Sequence, residues 1–98
     1  MLDATLAARE SLRHTPAGIP AIECTLEHRS QQHEAEGLRK VECEIHAVAF
    51  GELARALAQR PVGTALRVGG FVARRYRTGT SLTLHLTHIE PIETTKGN

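Results

Sequence analysis

Three arginines surround one tyrosine in the string Arg74-Arg75-Tyr76-Arg77. Proteins bind single-stranded nucleic acids through cations that follow the phosphates and through flat side chains on which the bases stack. Arginine supplies the charge and can also stack through its planar guanidinium group. Stacking on an aromatic ring contributes about 1–3 kcal/mol per base. The string therefore predicts a site for single-stranded DNA, and the alternative is a solvated loop whose charges only aid solubility.

The distribution of charge supports a basic face, although the net charge is only +1. No acidic residue lies between Glu52 and Glu90, and this stretch contains six arginines. The acidic residues are concentrated in the first half of the chain. A nearly neutral average can therefore hide one cationic surface. We interpret Arg55, Arg60 and Arg67 as ordinary surface charge, because the predicted topology places them away from the binding face.

The other residues that could carry chemistry do not form a recognisable catalytic or metal site. The six histidines and two cysteines include no Cys-x-x-Cys or His-x-x-x-His pair. We expect His85 and His88 to face opposite sides of one strand, and Cys24 and Cys43 to pack inside adjacent strands. Glu42 and Glu44 share a strand face, which we interpret as an exposed acidic surface. The sequence predicts no enzyme activity, no metal and no cofactor.

Length and composition indicate one small domain over residues 1–98, with residues 93–98 as a frayed tail. No apolar run approaches the roughly 18–20 residues of a membrane helix, and no secretory signal is recognisable. Two cysteines are too few for a disulfide framework, so we expect a cytoplasmic protein without membrane contact. Only three residues are aromatic, and the resulting small aliphatic core favours a homodimer that buries further surface.

Alternating apolar and polar residues predict five strands. The first runs over residues 2–13, the second begins after Pro20, the third begins at Leu38, the fourth spans residues 64–74 and the last spans residues 81–92. Residues 30–37 are expected to form a hairpin loop, and residues 74–80 a basic loop. Residues 52–59 (ELARALAQ) predict a short helix. Gly69 and Gly70 predict a bulge in the fourth strand.

Five strands with a short helix between the third and the fourth are typical of an all-β, five-stranded OB-fold barrel, with a five-stranded sandwich as the alternative. An OB-fold binds ligands on its second and third strands and on the loops that join strands 1–2 and 4–5. Further basic residues border this predicted face, namely Arg13, Arg29, Arg39 and Lys40.

The string Thr15-Pro16-Ala17-Gly18-Ile19-Pro20, followed by Leu26-Glu27-His28-Arg29-Ser30, resembles the primosomal replication protein N (PriB) family. Val68-Gly69-Gly70-Phe71-Val72 and the last strand are similar to the same family and, more loosely, to bacterial single-stranded DNA-binding proteins. The resemblance covers nearly the whole chain. It implies an OB-fold homodimer that binds single-stranded DNA and contacts the PriA helicase and DnaT during replication restart.

Some members of that family have an aromatic pair where this chain has Leu38 and Glu42. A glutamate cannot stack on a base and repels phosphate, so an alternative function is an OB-fold protein-interaction module with weak DNA binding. In that alternative, an acidic face contacts a basic partner or the twin subunit; its residues are Glu23, Glu27, Glu42 and Glu44. The predicted DNA-binding residues are Arg13, Arg29, Leu38, Arg39, Lys40, Arg74, Arg75, Tyr76 and Arg77.

Overall fold

The computed structural model describes residues 1–34, 37–74 and 82–92, with the backbone alone for residues 29–34 and 37–41. Its elements are the strands β1 (Leu2–Arg9), β2 (Arg13–His14), β3 (Pro20–Glu34) and β4 (Gly37–Phe50), the helix α1 (Glu52–Ala58), and the strands β5 (Ala65–Arg74) and β6 (Leu82–Pro91). The predicted basic loop after Arg74 and the predicted tail over residues 93–98 lie outside the described residues.

Five of these strands close into a barrel. The sheet order is β1-β5-β6-β4-β3, and β1 also pairs with β3, which completes the ring. β4 and β6 run parallel where they meet, whereas the other pairings are antiparallel. The two-residue β2 adds to β3 outside the ring. The prediction of an all-β OB-fold barrel with a helix before the fourth barrel strand is confirmed.

The helix α1 contributes to the hydrophobic core through one face. Gly51 precedes it with a φ of 68°, a left-handed conformation that favours glycine. Ala54 and Leu57 are buried, and Leu53 packs partly against the core. The buried core consists of small aliphatic side chains, as the composition predicts; its largest fully buried members are Leu6, Ile22, Leu26, Leu57, Leu66 and Val68.

The predicted irregularity at the glycine pair is confirmed as a register shift between β5 and β6. Gly69 pairs with His88 and Gly70 with Leu86, so the register passes over Thr87. A Cβ atom on Gly70 would overlap the backbone carbonyl of His85. The strands therefore approach closely here, and only glycine fits.

This shift corrects the prediction that His85 and His88 face opposite sides of the strand. Three residues on a regular strand would separate two side chains onto two faces. The extra residue in β6 restores the alternation, and His88 and His85 pair with Gly69 and Phe71, which are two apart on β5. The two histidines therefore lie on the same outer face.

The first strand ends earlier than predicted, and Ala8 does not lie on the face that its position predicts. A regular alternation would place Ala8 on the same face as Ala4 and Leu6, which are buried. A shift in the pairing with β3 between Leu6 and Ala8 breaks the alternation, and Ala8 is exposed. A bulge is invisible to a pattern that assumes a period of two.

The predicted hairpin loop over residues 30–37 is shorter in the structure. β3 continues to Glu34 and β4 begins at Gly37, although the intervening sequence is polar. The polar composition reflects a hairpin that extends beyond the barrel. The same extension explains why Cys43 is exposed while Cys24 is buried. Cys43 pairs with His28, four pairs beyond the pair of Cys24 with Ala47. The prediction that both cysteines pack inside the strands is therefore wrong for Cys43.

The last strand differs from its prediction at its first two residues. The alternation of the last strand predicts one buried face for Leu82, Leu84 and Leu86, but Leu82 is 61% exposed. It precedes the point where β6 meets β4, at Leu84 and Ala47. The same alternation predicts Thr83 on the exposed polar face, but Thr83 is only 3% exposed, and its hydroxyl lies 2.9 Å from His46 Nδ1.

Candidate nucleic-acid interface

Four strands present one continuous row of residues across the outer surface of the barrel. Glu23 on β3 pairs with Val48 on β4, and Val48 pairs with His85 on β6. His85 in turn pairs with Phe71 on β5. Directly paired residues on one sheet face lie close enough for their side chains to interact. The row therefore unites an acidic residue, an apolar centre and two flat rings.

Two phenylalanines flank the ring of His85. The centroids of Phe71 and His85 lie 5.0 Å apart with an angle of 13° between the planes, and those of Phe50 and His85 lie 6.2 Å apart with an angle of 30°. Phe71 is 57% exposed and Phe50 is 43% exposed. Exposed, nearly parallel rings offer the flat surface on which nucleobases stack. We call these three residues the aromatic row.

A pocket of about 310 Å³ opens beside the aromatic row. Its volume is in the range of small-molecule binding sites. Its lining combines rings, an aliphatic floor and polar groups from β3, β4, β5 and β6, namely Glu23, His46, Val48, Phe50, Arg74, Thr83 and His85.

Hydrogen bonds fix the polar side of this pocket. Glu23 Oε1 lies 2.7 Å from His46 Nε2, and His46 Nδ1 lies 2.9 Å from the Thr83 hydroxyl. A carboxylate can only accept, so His46 Nε2 carries the hydrogen; in the neutral ring, Nδ1 then accepts from Thr83. Arg13 donates from Nη2 to Glu23 Oε2 at 3.0 Å.

Two of the predicted DNA-binding residues with described side chains lie at or beside this pocket. Arg74 lines it directly, and Arg13 reaches its edge through Glu23. The pairing with Glu23 compensates much of the charge of Arg13. Of these two arginines, Arg74 is therefore the better placed to meet a phosphate.

For the other predicted DNA-binding residues, the structure describes the backbone alone or does not describe the residue. Arg29 pairs with Glu42, Leu38 with His33, Arg39 with Gln32 and Lys40 with Gln31. All four therefore belong to the outer half of the β3–β4 hairpin. Arg75, Tyr76 and Arg77 lie outside the described residues.

The sequence reasoning missed the aromatic row, because it treated Phe50 and Phe71 only as rare aromatics within strands. A signal for them was available. Phe71 follows Leu66 and Val68, both buried, at an odd spacing, which assigns it to the opposite face of β5. An exposed phenylalanine in a chain with three aromatic residues is expensive to leave in water, and such exposure often marks a binding surface.

A second surface carries paired charges. Arg67 donates to Asp3 from Nε at 2.8 Å, and both side chains are about half exposed. The hydrogen bond from Arg67 lowers the pKa of the Asp3 carboxyl. On β6, His88 lies 3.1 Å from Glu90. These contacts agree with the interpretation of Arg67 as surface charge, since its partner is an acid of the same chain.

Residues 1–34, 37–74 and 82–92 contain no group of three or more His, Cys, Asp or Glu side chains arranged to hold a metal ion. Within the same residues, no helix has the length and apolar character needed to cross a membrane.

Known proteins with similar sequences are replication restart proteins. Residues 1–88 match the model of a family described as "Another single-strand binding protein family". The replication restart protein PriB of Bordetella pertussis is 44% identical over 87 residues, which cover 89% of this chain and 81% of the relative.

Solved structures of PriB and of a single-stranded DNA-binding protein have the same fold as this chain. PriB from Ralstonia solanacearum superposes with a TM-score of 0.82 and 38% identity, covering 94% of each chain. The single-stranded DNA-binding protein from Thermus aquaticus superposes with a TM-score of 0.78 at 21% identity, covering 95% of this chain and 48% of that one. The second likeness shows a shared fold alone. The family model and the identity with the Bordetella protein show that this chain belongs to the single-strand binding protein family and, within it, to the PriB replication restart proteins.

Proposed function

We propose that this chain binds single-stranded DNA on the outer face of β3, β4, β6 and β5 during replication restart. The observation that carries the proposal is the aromatic row of Phe50, His85 and Phe71, which offers stacked and exposed rings beside Arg74. Stacking tolerates any sequence because every base has a flat face. We therefore expect binding with little overall dependence on sequence.

The other predicted residues extend this surface in the proposal. Arg29, Leu38, Arg39 and Lys40 belong to the β3–β4 hairpin, and the segment Arg75-Tyr76-Arg77 follows the end of β5. In an OB-fold, the loop after this strand and the face of β3–β4 are the usual ligand contacts. A strand of DNA that crosses the aromatic row would therefore run between these two basic segments.

The direct test is the anisotropy of a labelled oligo-dT titrated with the protein at low and at near-physiological salt. Binding at micromolar or lower protein concentration that weakens with salt supports the proposal. The slope of log K against log salt gives the number of phosphates neutralised, at about −0.7 per phosphate for single strands. Absence of binding at low salt would reject DNA binding as the function.

We further propose that the chain is one OB domain that acts in the cytoplasm as a homodimer and bridges DNA to the PriA helicase, with DnaT as another partner. Support comes from family membership and from two exposed acids of β4, Glu42 and Glu44, which lie on that strand between Phe50 and the basic end of the β3–β4 hairpin. Glu44 is directly opposite Glu27 in the register. An acidic strip of this kind suits a basic protein surface better than a phosphate backbone.

This bridging is tested by pull-down of purified PriA with the protein and with the charge reversals Glu42→Lys and Glu44→Lys. Loss of PriA with retained DNA binding supports separate surfaces for the two ligands. Retained PriA in both variants would remove the acidic strip from the proposal. Sedimentation equilibrium checks the dimer, and a mass of one chain at micromolar concentration would contradict it.

A further inference from the structure

The pocket beside the aromatic row contains a carboxylate, which a sequence-independent DNA surface does not need. Glu23 stands at one end of the row that continues through Val48 to His85. Adjacent strands are about 4.8 Å apart, so β3 and β6 lie roughly 10 Å apart across β4. A base stacked on Phe50 would therefore direct an edge toward Glu23 across Val48, which is largely buried.

The hydrogen-bond network determines what this end of the pocket can recognise. The Thr83 hydroxyl donates to His46 Nδ1, and His46 Nε2–H donates to Glu23. Both donor hydrogens are thereby used within the protein when His46 is neutral. Since Thr83 is 3% exposed, it acts as a positioning residue that holds His46. The group of this network that lines the pocket as an acceptor is the carboxylate of Glu23.

A carboxylate distinguishes bases by whether the edge that they present carries a hydrogen-bond donor or an acceptor. Each of its oxygens can accept more than one hydrogen bond, so an incoming N–H group can share an oxygen with Arg13 or His46. Cytosine presents an amino group, to which glutamate is a natural acceptor. Thymine presents a carbonyl oxygen at the equivalent position. Its one N–H donor lies between two carbonyl oxygens, so a carboxylate that approaches this edge is repelled by both acceptors. Cytosine and thymine have rings of the same size, so their stacking areas are similar.

The carboxylate is compatible with a nearby phosphate backbone because Arg13 neutralises it. The contact of Arg13 Nη2 with Glu23 Oε2 is 3.0 Å, and the Glu23 side chain is 20% exposed. A charge-assisted hydrogen bond of this length also fixes the orientation of the carboxylate. Glu23 is thus held from two sides, by Arg13 and by His46.

We propose that Glu23 reads the edge of a base stacked on the aromatic row and favours bases with an exocyclic amino group over thymine. This inference rests on the proposed function, because the base must first bind to the aromatic row. It adds a local base preference to a surface that otherwise binds any sequence.

The experiment compares the affinities of labelled oligo-dC and oligo-dT for the protein and for Glu23→Gln. We expect the protein to bind oligo-dC more tightly than oligo-dT by about two- to twelvefold, the effect of one hydrogen bond of roughly 0.5–1.5 kcal/mol. An amide offers donors as well as acceptors, so Glu23→Gln should bring the ratio of affinities close to one. The readout is the ratio of the affinities for oligo-dC and oligo-dT. Glu23→Gln also frees Arg13 from its ion pair, but this would raise both affinities together and leave their ratio unchanged.

The matched control is Asp3→Asn, which removes the same charge from another carboxylate that is paired with an arginine, Arg67 on β5, and should leave the ratio unchanged. A second variant, Thr83→Val, keeps the size of the side chain and removes the hydroxyl that positions His46. It should lower the ratio, whereas a merely structural role of Thr83 would lower both affinities equally. Circular dichroism melts of all variants confirm that they fold.

A ratio that is the same in the protein, in Glu23→Gln and in Thr83→Val would overturn base reading while leaving DNA binding intact. An equal change in Asp3→Asn would also overturn it, since the effect would then be one of net charge. Failure of both oligonucleotides to bind would instead reject the DNA-binding function itself, and base reading with it.

Discussion

Replacing Phe71 by alanine removes the most exposed ring of the aromatic row. The ring lies 5.0 Å from His85 and is 57% exposed, so most of its surface is available to a base. Loss of one stacking interaction weakens single-strand binding by about 1–3 kcal/mol. This corresponds to a Kd for oligo-dT about 5- to 150-fold higher.

The same substitution has a smaller consequence for folding. Less than half of the side chain is buried; taking about 200 Å² for a phenylalanine, roughly 85 Å² leaves water on folding, which is worth at most about 2 kcal/mol. A thermal melt of Phe71→Ala measures this loss separately from the anisotropy titration. The salt slope of DNA binding should not change, because the substitution removes no charge.

Val72 provides a control within the same strand. It is 61% exposed, immediately follows Phe71 and therefore lies on the other face of β5. Val72→Ala should leave the Kd for oligo-dT unchanged. If Phe71→Ala bound oligo-dT like the unaltered protein while Val72→Ala bound it more weakly, the assignment of the DNA to this face of the sheet would be wrong.

Three further substitutions or reagents test other parts of the structure. Arg74→Ala should weaken oligo-dT binding and reduce the salt slope by about 0.7, the contribution of one phosphate; an unchanged slope would mean that Arg74 contacts no phosphate. Gly70→Ala should destabilise the fold by about 1–3 kcal/mol or prevent folding, because its Cβ would overlap the His85 carbonyl; an unaltered melting temperature would contradict the close approach. A thiol reagent at pH 8 should modify one cysteine in the native protein and two after denaturation, because Cys43 is exposed while burial raises the pKa of Cys24 to about 11; rapid modification of both native thiols would show that β3 opens.

Much of the barrel follows from the sequence, because its strands alternate and its helix has one apolar stripe. The glycine pair also predicted where the β5–β6 pairing becomes irregular. The strand that carries the extra residue was missed, although β6 contains a signal for it. Thr87 and His88 are two consecutive polar residues between Leu86 and Ile89, and this break in the alternation marks the extra residue. The strand was instead treated as regular, so the faces of His85 and His88 were predicted incorrectly.

The sequence predicted only part of the candidate site, because the rest depends on how the strands pair. Arg74 could be identified because a run of arginines around a tyrosine is unusual. The aromatic row could not be assembled, because Phe50, Phe71 and His85 come from three strands whose relative registers no local pattern contains. The alternation of their strands places Glu23 and His46 on outward faces. Their contact could not be predicted, because it depends on the register of β3 against β4, which pairs Glu23 with Val48 and Thr25 with His46.

The charge pairs of the structure also bear on how such a weakly charged protein would hold DNA. Arg13 is bonded to Glu23 and Arg67 to Asp3, and each such pair removes a cation that would otherwise displace counterions from DNA. On the described surface, affinity therefore depends more on the aromatic row than on phosphate contacts. The measured salt slope, divided by about 0.7, then counts mainly Arg74 and the cations of the β3–β4 hairpin and of the Arg75-Tyr76-Arg77 segment. A steep slope would identify those segments as the principal electrostatic contacts, and a shallow slope would assign the affinity to stacking.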